Sequence, residues 1–142
     1  LVRRTRQEGS VGFEEGVRLG MVDARTASVI RDLAGDRLDA IRFAGTHQYD
    51  EGERNKAFSG RTVVAETILP DQQFLDYVRT DQKAKAVAYW IENLDGMTML
   101  EHAVVKCLKG EIDPREVEDK IGLFKDVSPE RVLKALELVE RE

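Results

Sequence analysis

The sequence predicts a mainly α-helical protein with a small β element. A loop-rich α+β half is followed by a compact bundle of about five short helices. Two observations predict this division. Helix start signals and helix-spaced apolar residues recur after residue 70, whereas the earlier residues are charged and loosely patterned. We therefore assign a mixed α/β module to residues 1–69 and a helical domain to residues 70–142.

The N-terminal half contains one weak and one stronger helical pattern. Residues 11–22 carry apolar positions at helical spacing, but glycines interrupt them. A better helix is predicted to begin after Asp23, which suits an N-cap, and to end at Gly35. Residues 38–43 are predicted to form a short strand. The polar residues 44–57 form a predicted loop.

The stretch 58–68 joins the two halves and is the centre of the prediction. Gly60 and Arg61 are predicted to form a turn, and the β-branched residues that follow are predicted to form a strand. Because side chains alternate along a strand, Arg61 and Glu66 would face opposite ways. We expect Arg61 to contact the N-terminal half and Glu66 to contact a helix start or a basic side chain of the bundle. The alternative is that both are exposed surface charges.

The helical half has its most regular pattern after Thr98, where Glu101 completes a capping box. Four residues at helical spacing are predicted to form the core of this half: Leu100, Val104, Cys107 and Leu108. Other helices are predicted after Asp71, between residues 81 and 94, after Asp113 and after Ser128.

Composition limits the function classes. With 22 basic and 27 acidic side chains, the net charge is −5, which argues against a nucleic-acid-binding protein. No apolar run is long enough to insert into a membrane. The single cysteine allows no intrachain disulfide, so a cytoplasmic location is expected. The basic residues Arg3, Arg4 and Arg6 are interpreted as a solvated end, with a phosphate or lipid contact as the alternative.

No catalytic constellation is predicted. The sequence has no phosphate-binding loop, no Rossmann glycine pattern and no serine elbow. Cys107 is predicted to be a core residue, and His102 lies about 140° away from it around the helix, so the two form no dyad. A metal-dependent enzyme would need ligands from the loop, which are interpreted instead as solvated side chains: His47, Asp50, Glu51 and Glu53.

Several short motifs occur in a particular order. An aromatic-x-Gly-Arg signature with a following glutamate is formed by Phe58, Gly60, Arg61 and Glu66. A Gly-Met-x-x-Leu turn lies at 96–100, and a closing Gly-x-x-x followed by Glu-Val lies at 110–117. In order and spacing, these motifs resemble the C-terminal region of the secretion ATPases that power type II secretion and type IV pilus assembly. The resemblance covers residues 1–122 and is strongest over 58–118.

The resemblance implies a cytoplasmic, hexameric parent ATPase at the inner face of a bacterial inner membrane. ATP and magnesium would be bound by a core preceding Leu1, and no cofactor is expected in this chain. The chain would contact neighbouring subunits and an inner-membrane platform protein. The family's zinc-binding cysteines are absent near Arg4, Asp50 and Glu53, so zinc is not expected. The alternative is a free-standing helical module for protein interaction or regulation.

Overall fold

The computed structural model of the protein describes residues 1–45, 57–66 and 68–140. Within these ranges, seven α-helices accompany four short strands, which confirms a mainly α fold with a small β element. In chain order they are β1 Val2–Thr5, β2 Val11–Gly12, α1 Phe13–Arg18, α2 Ala24–Ala34, β3 Arg42–Phe43, β4 Phe58–Thr62, α3 Gln72–Arg79, α4 Lys83–Asn93, α5 Met99–Leu108, α6 Pro114–Lys120 and α7 Pro129–Glu140. None of the helices in the described ranges is both long and apolar enough to cross a lipid bilayer.

The strands form two separate antiparallel ribbons. In the first, β1 pairs with β4 and Val2 lies opposite Thr62. In the second, β2 pairs with β3 and Val11 lies opposite Phe43. The first ribbon brings the beginning of the described chain against the signature stretch, so these two distant segments form one structural unit.

Two strand predictions are wrong in their bounds. Residues 38–43 contain the end of a 3-10 helix, Gly35–Ala40, and only Arg42–Phe43 pair as a strand, because the amide of Ile41 closes a helical turn onto the carbonyl of Leu38. The signature strand, β4, ends at Thr62 instead of beginning there. Beyond Thr62, the backbone groups of Val63 and Ala65 bond instead to side chains of α5.

The N-caps predicted at Asp23, Asp71 and Thr98 are confirmed. Asp23 accepts a hydrogen bond from the amide of Thr26, and Asp71 does so from the amide of Phe74. Thr98 and Glu101 exchange both hydrogen bonds of a capping box. Each contact satisfies amides that the first turn of a helix leaves without an intrahelical partner.

One cluster of buried side chains includes residues from both halves of the chain. The larger members are Phe13, Ile30, Ile41, Phe43, Val104, Leu108, Ile112, Val117, Phe124, Val132 and Leu136. Helix α5 is the element with the most members, and it packs against α6 and α7. The division at residue 69 stays a prediction, since this cluster contains side chains from both sides of it.

Helices α3 and α4 pack on each other as a hairpin. The rings of Tyr77 and Tyr89 meet edge to face at 5.9 Å, and the Tyr89 hydroxyl donates to the Asp71 carboxylate. This bond is the main cause of a lowered Asp71 pKa. Apolar side chains on the hairpin, including Val78 and Val87, are about half exposed. The hairpin therefore presents apolar surface outside the main core.

Candidate functional site at the ribbon and helix junction

Residues 63–66, which we call the strap, run from the end of β4 along one side of α5. Three residues of α5 hold it: Met99, His102 and Lys106. Residues three and four positions apart share one face of a helix, so these three contacts lie in a row. The junction between ribbon and bundle is thus built from polar contacts along one helix face.

The first contact of the row is made by Glu66. Its Oε1 accepts a hydrogen bond from the backbone amide of Met99 at 3.0 Å. Met99 is the first residue of α5, where amides lack intrahelical partners and the helix dipole favours a negative charge. Glu66 therefore contacts a helix start, although it lies beyond β4 and the argument from alternating strand faces does not apply to it.

The second and third contacts involve the backbone of the strap. The amide of Ala65 donates to Nδ1 of His102 at 3.1 Å. The ammonium group of Lys106 donates to Oγ1 of Thr62 and to the carbonyl of Val63, each at 2.6 Å. These side chains supply the hydrogen bonds that a neighbouring strand would otherwise supply.

Arg3, and not Arg61, ties the ribbon to the rest of the structure, and it does so to the helical half. Its guanidinium lies 4.1 Å from the centre of the Phe58 ring and bonds to the Glu116 carboxylate, with Nη2 at 2.5 Å. Arg61 lies directly opposite Arg3, is exposed, and bonds through its side chain to none of the other described residues. The interpretation of Arg3 as a solvated end is wrong, because α6 places an acidic partner beside it.

Glu116 is a buried carboxylate at the start of α6. Burial by itself raises the pKa of Glu116, but hydrogen bonds from Arg3 and Lys120 outweigh that effect and lower the net pKa. The Lys120 ammonium lies 3.0 Å from the second carboxylate oxygen. The ion pair with Arg3 ties the ribbon to α6, so the ribbon is attached to two helices.

Gly60 has a backbone conformation that the ribbon requires. Its φ is +82°, in the left-handed region. Ser59 and Gly60 of β4 lie opposite Arg4 alone, because Arg3 pairs with Arg61 and Thr5 with Phe58. This arrangement is a β-bulge with glycine at the left-handed position. The glycine of the signature is therefore explained by local geometry.

We expect Gly60→Ala to lower the free energy of unfolding by about 1 kcal/mol, because a Cβ disfavours the left-handed conformation. A Cβ at this position would meet no atom within 4 Å, so the loss would come from the backbone and not from a clash. Urea unfolding of the purified chain measures it. Ser59→Ala, at the exposed neighbour, is the matched control. Equal stabilities of the two variants would contradict the bulge as the reason for glycine.

Asp113 holds the other side of α6. Its side chain is 1% exposed and accepts hydrogen bonds from the amides of Ala44 and Arg115, each at 2.7 Å. The Arg115 guanidinium also pairs with it at 2.7 Å and donates to the Ala44 carbonyl. Asp113 thus caps α6 and fastens the residues after β3 to it.

A cleft of about 590 Å³ lies between the start of α2 and α6. Met21, Phe58 and Pro114 contribute apolar lining. The charged residues Arg3 and Glu116 on its wall are bonded to each other. This pair of charged side chains therefore fastens the ribbon to α6 beside the cleft.

The predicted core residues lie along the buried side of α5. Val104, Cys107 and Leu108 are buried, and Leu100 is half-buried against the same cluster. Burial raises the pKa of the Cys107 thiol well above its usual value, with Asp113 adding to the effect. The protonated thiol is a poor nucleophile.

Comparison with known proteins gave no match to a protein-family model or to a curated protein. Within the described residues, no three histidine, cysteine, aspartate or glutamate side chains are grouped as metal ligands would be. The loop ligands considered from the sequence lie outside the described residues: His47, Asp50, Glu51 and Glu53. The polar side chains of the junction attach the strap to α5 and the ribbon to α6.

Proposed function

We propose that the chain is the C-terminal supporting domain of a hexameric motor ATPase that powers type IV pilus assembly or type II protein secretion. One observation carries the proposal: residues from different motifs of the resemblance bond to one another. Glu66 of the signature bonds to Met99 of the 96–100 turn. The ribbon that contains the signature bonds to the closing motif, through Thr5 to the carbonyl of Glu111 and through Arg3 to Glu116.

In the proposed role, ATP and magnesium bind to a core that precedes this chain in the parent protein. The ribbon receives movement from that core, and the strap and α6 transmit it to the helical bundle. The bundle in turn contacts neighbouring subunits and a platform protein at the cytoplasmic face of the inner membrane. Contacts that fix the ribbon on the bundle, such as those of Glu66 and Glu116, would then affect transport without affecting nucleotide binding.

The test is Glu66→Ala in the full-length parent ATPase. We expect pilus or secretion output to fall several-fold while nucleotide binding stays within about twofold, because Glu66 fastens one end of the strap to α5 and the nucleotide would bind to the separate core. Glu92→Ala, at an exposed position of α4, is the matched control. Normal pilus or secretion output from the full-length Glu66→Ala ATPase would contradict the proposed role of the junction in transmitting movement.

A free-standing helical interaction module is the second candidate. Its support is the half-exposed apolar surface of the α3 and α4 hairpin, at Leu75, Val78 and Val87. Exposed apolar patches are common at protein-binding surfaces. The reading frame upstream of Leu1 distinguishes the two candidates, because only a motor ATPase has a phosphate-binding loop there.

A further inference from the structure

We propose that His102 is a pH-sensitive latch that holds the strap on α5. Nδ1 of His102 accepts a hydrogen bond from the Ala65 amide at 3.1 Å. A backbone amide can only donate, so Nδ1 carries no proton and the imidazole is neutral in this arrangement. Protonation makes both ring nitrogens donors, and the bond to Ala65 is then lost.

The charged groups near the latch have bonds of their own that do not depend on His102. Lys106, one turn further along the same face of α5, donates to the Val63 carbonyl. Glu66 accepts from the Met99 amide at the other end of the strap. The remaining acidic group of the first turn, Glu101, pairs with Arg131 of α7. Opening at His102 therefore releases the Ala65 amide, while the Val64 side chain stays in the core and the two ends of the strap stay attached.

The direction of the pH effect follows from the protonation state of His102 that accepts the Ala65 hydrogen bond. The neutral form holds the strap, so the latch is closed when the ring is neutral and opens as the pH falls far enough to protonate it. An acidified environment would release the Ala65 amide from α5, while the ribbon stays bonded to the bundle through Thr5 and Arg3.

Amide hydrogen exchange measured by NMR tests the latch. We expect the protection factor of the Ala65 amide, corrected for intrinsic exchange, to be about tenfold lower at pH 5.5 than at pH 7.5, since one hydrogen bond is lost. The Thr5 amide, which bonds to the Glu111 carbonyl, is the internal control and should change little. Equal protection of Ala65 at the two pH values would overturn the proposal.

Variants separate the latch from a merely structural contact. In His102→Asn, the side-chain oxygen stands near the position of Nδ1 and accepts at every pH, so Ala65 protection should become independent of pH. In His102→Ala, protection should be low at both pH values. His47→Asn, which removes the only other histidine of the sequence, should keep the wild-type pH dependence.

If a variant does not fold, a second measurement on the wild-type protein tests the latch. The His102 ring signals and the Ala65 amide shift should titrate with the same midpoint, because one protonation controls both. Different midpoints would overturn the proposal. A pH dependence that persists in a folded His102→Asn variant would also do so.

Discussion

Val104→Asp should unfold the protein or lower its melting temperature by more than 15 °C, on the order expected from the loss of several kcal/mol. Val104 is 0% exposed in the middle of α5 and belongs to the cluster shared by both halves of the chain. A carboxylate there would be buried without an ionic partner. Its cost approaches the whole stability of a typical domain, about 5–15 kcal/mol. Thermal unfolding followed by circular dichroism measures the effect.

The matched control is Val87→Asp, which makes the same chemical change in α4 at a position that is 50% exposed. Water can solvate the carboxylate there, so the loss should stay within about 1 kcal/mol, mainly from helix propensity. A cooperatively folded Val104→Asp variant with nearly unchanged melting would show that this face of α5 is not the centre of the core.

Asp113→Ala should lower the free energy of unfolding by about 3–5 kcal/mol. The change would leave the buried amide of Ala44 without its acceptor and the guanidinium of Arg115 without its counter-ion. It would also remove the N-cap of α6. Urea unfolding, with the midpoint and slope both reported, measures the loss.

Asp23→Ala is the control for capping alone. Asp23 is also an N-cap aspartate, but it is exposed and accepts from the amide of Thr26 in its own helix. We expect a loss of about 1 kcal/mol for that change. The difference between the two variants measures the combined contribution of the contacts that Asp113 makes with the Ala44 amide and the Arg115 guanidinium. Similar losses would mean that these contacts contribute little.

The helix starts could be predicted because a cap is a contact between near neighbours in sequence. Thr98 and Glu101 are three positions apart, so the residues themselves carry the signal. The ribbon could not be placed in the same way. Arg3 and Glu116 are separated by 113 positions, and a single sequence does not indicate that they meet.

Part of the candidate site could be predicted from the sequence. Glu66 was predicted to contact a helix start, and its carboxylate lies at the first amide of α5. His102 and Lys106 were missed as partners of the strap. Their spacing of four was the available signal, since two polar residues on one face of a helix indicate a polar neighbour. Which segment supplies that neighbour depends on tertiary structure.

The position of Cys107 gives the protein a built-in reporter. The sequence contains one thiol, and it is 0% exposed. A disulfide reagent can reach its sulfur only after α5 separates from its neighbours. When closing is fast compared with modification, the labelling rate gives the equilibrium constant for that separation. The free energy of opening the interior can thus be measured in the wild-type chain, with no dye or substitution introduced.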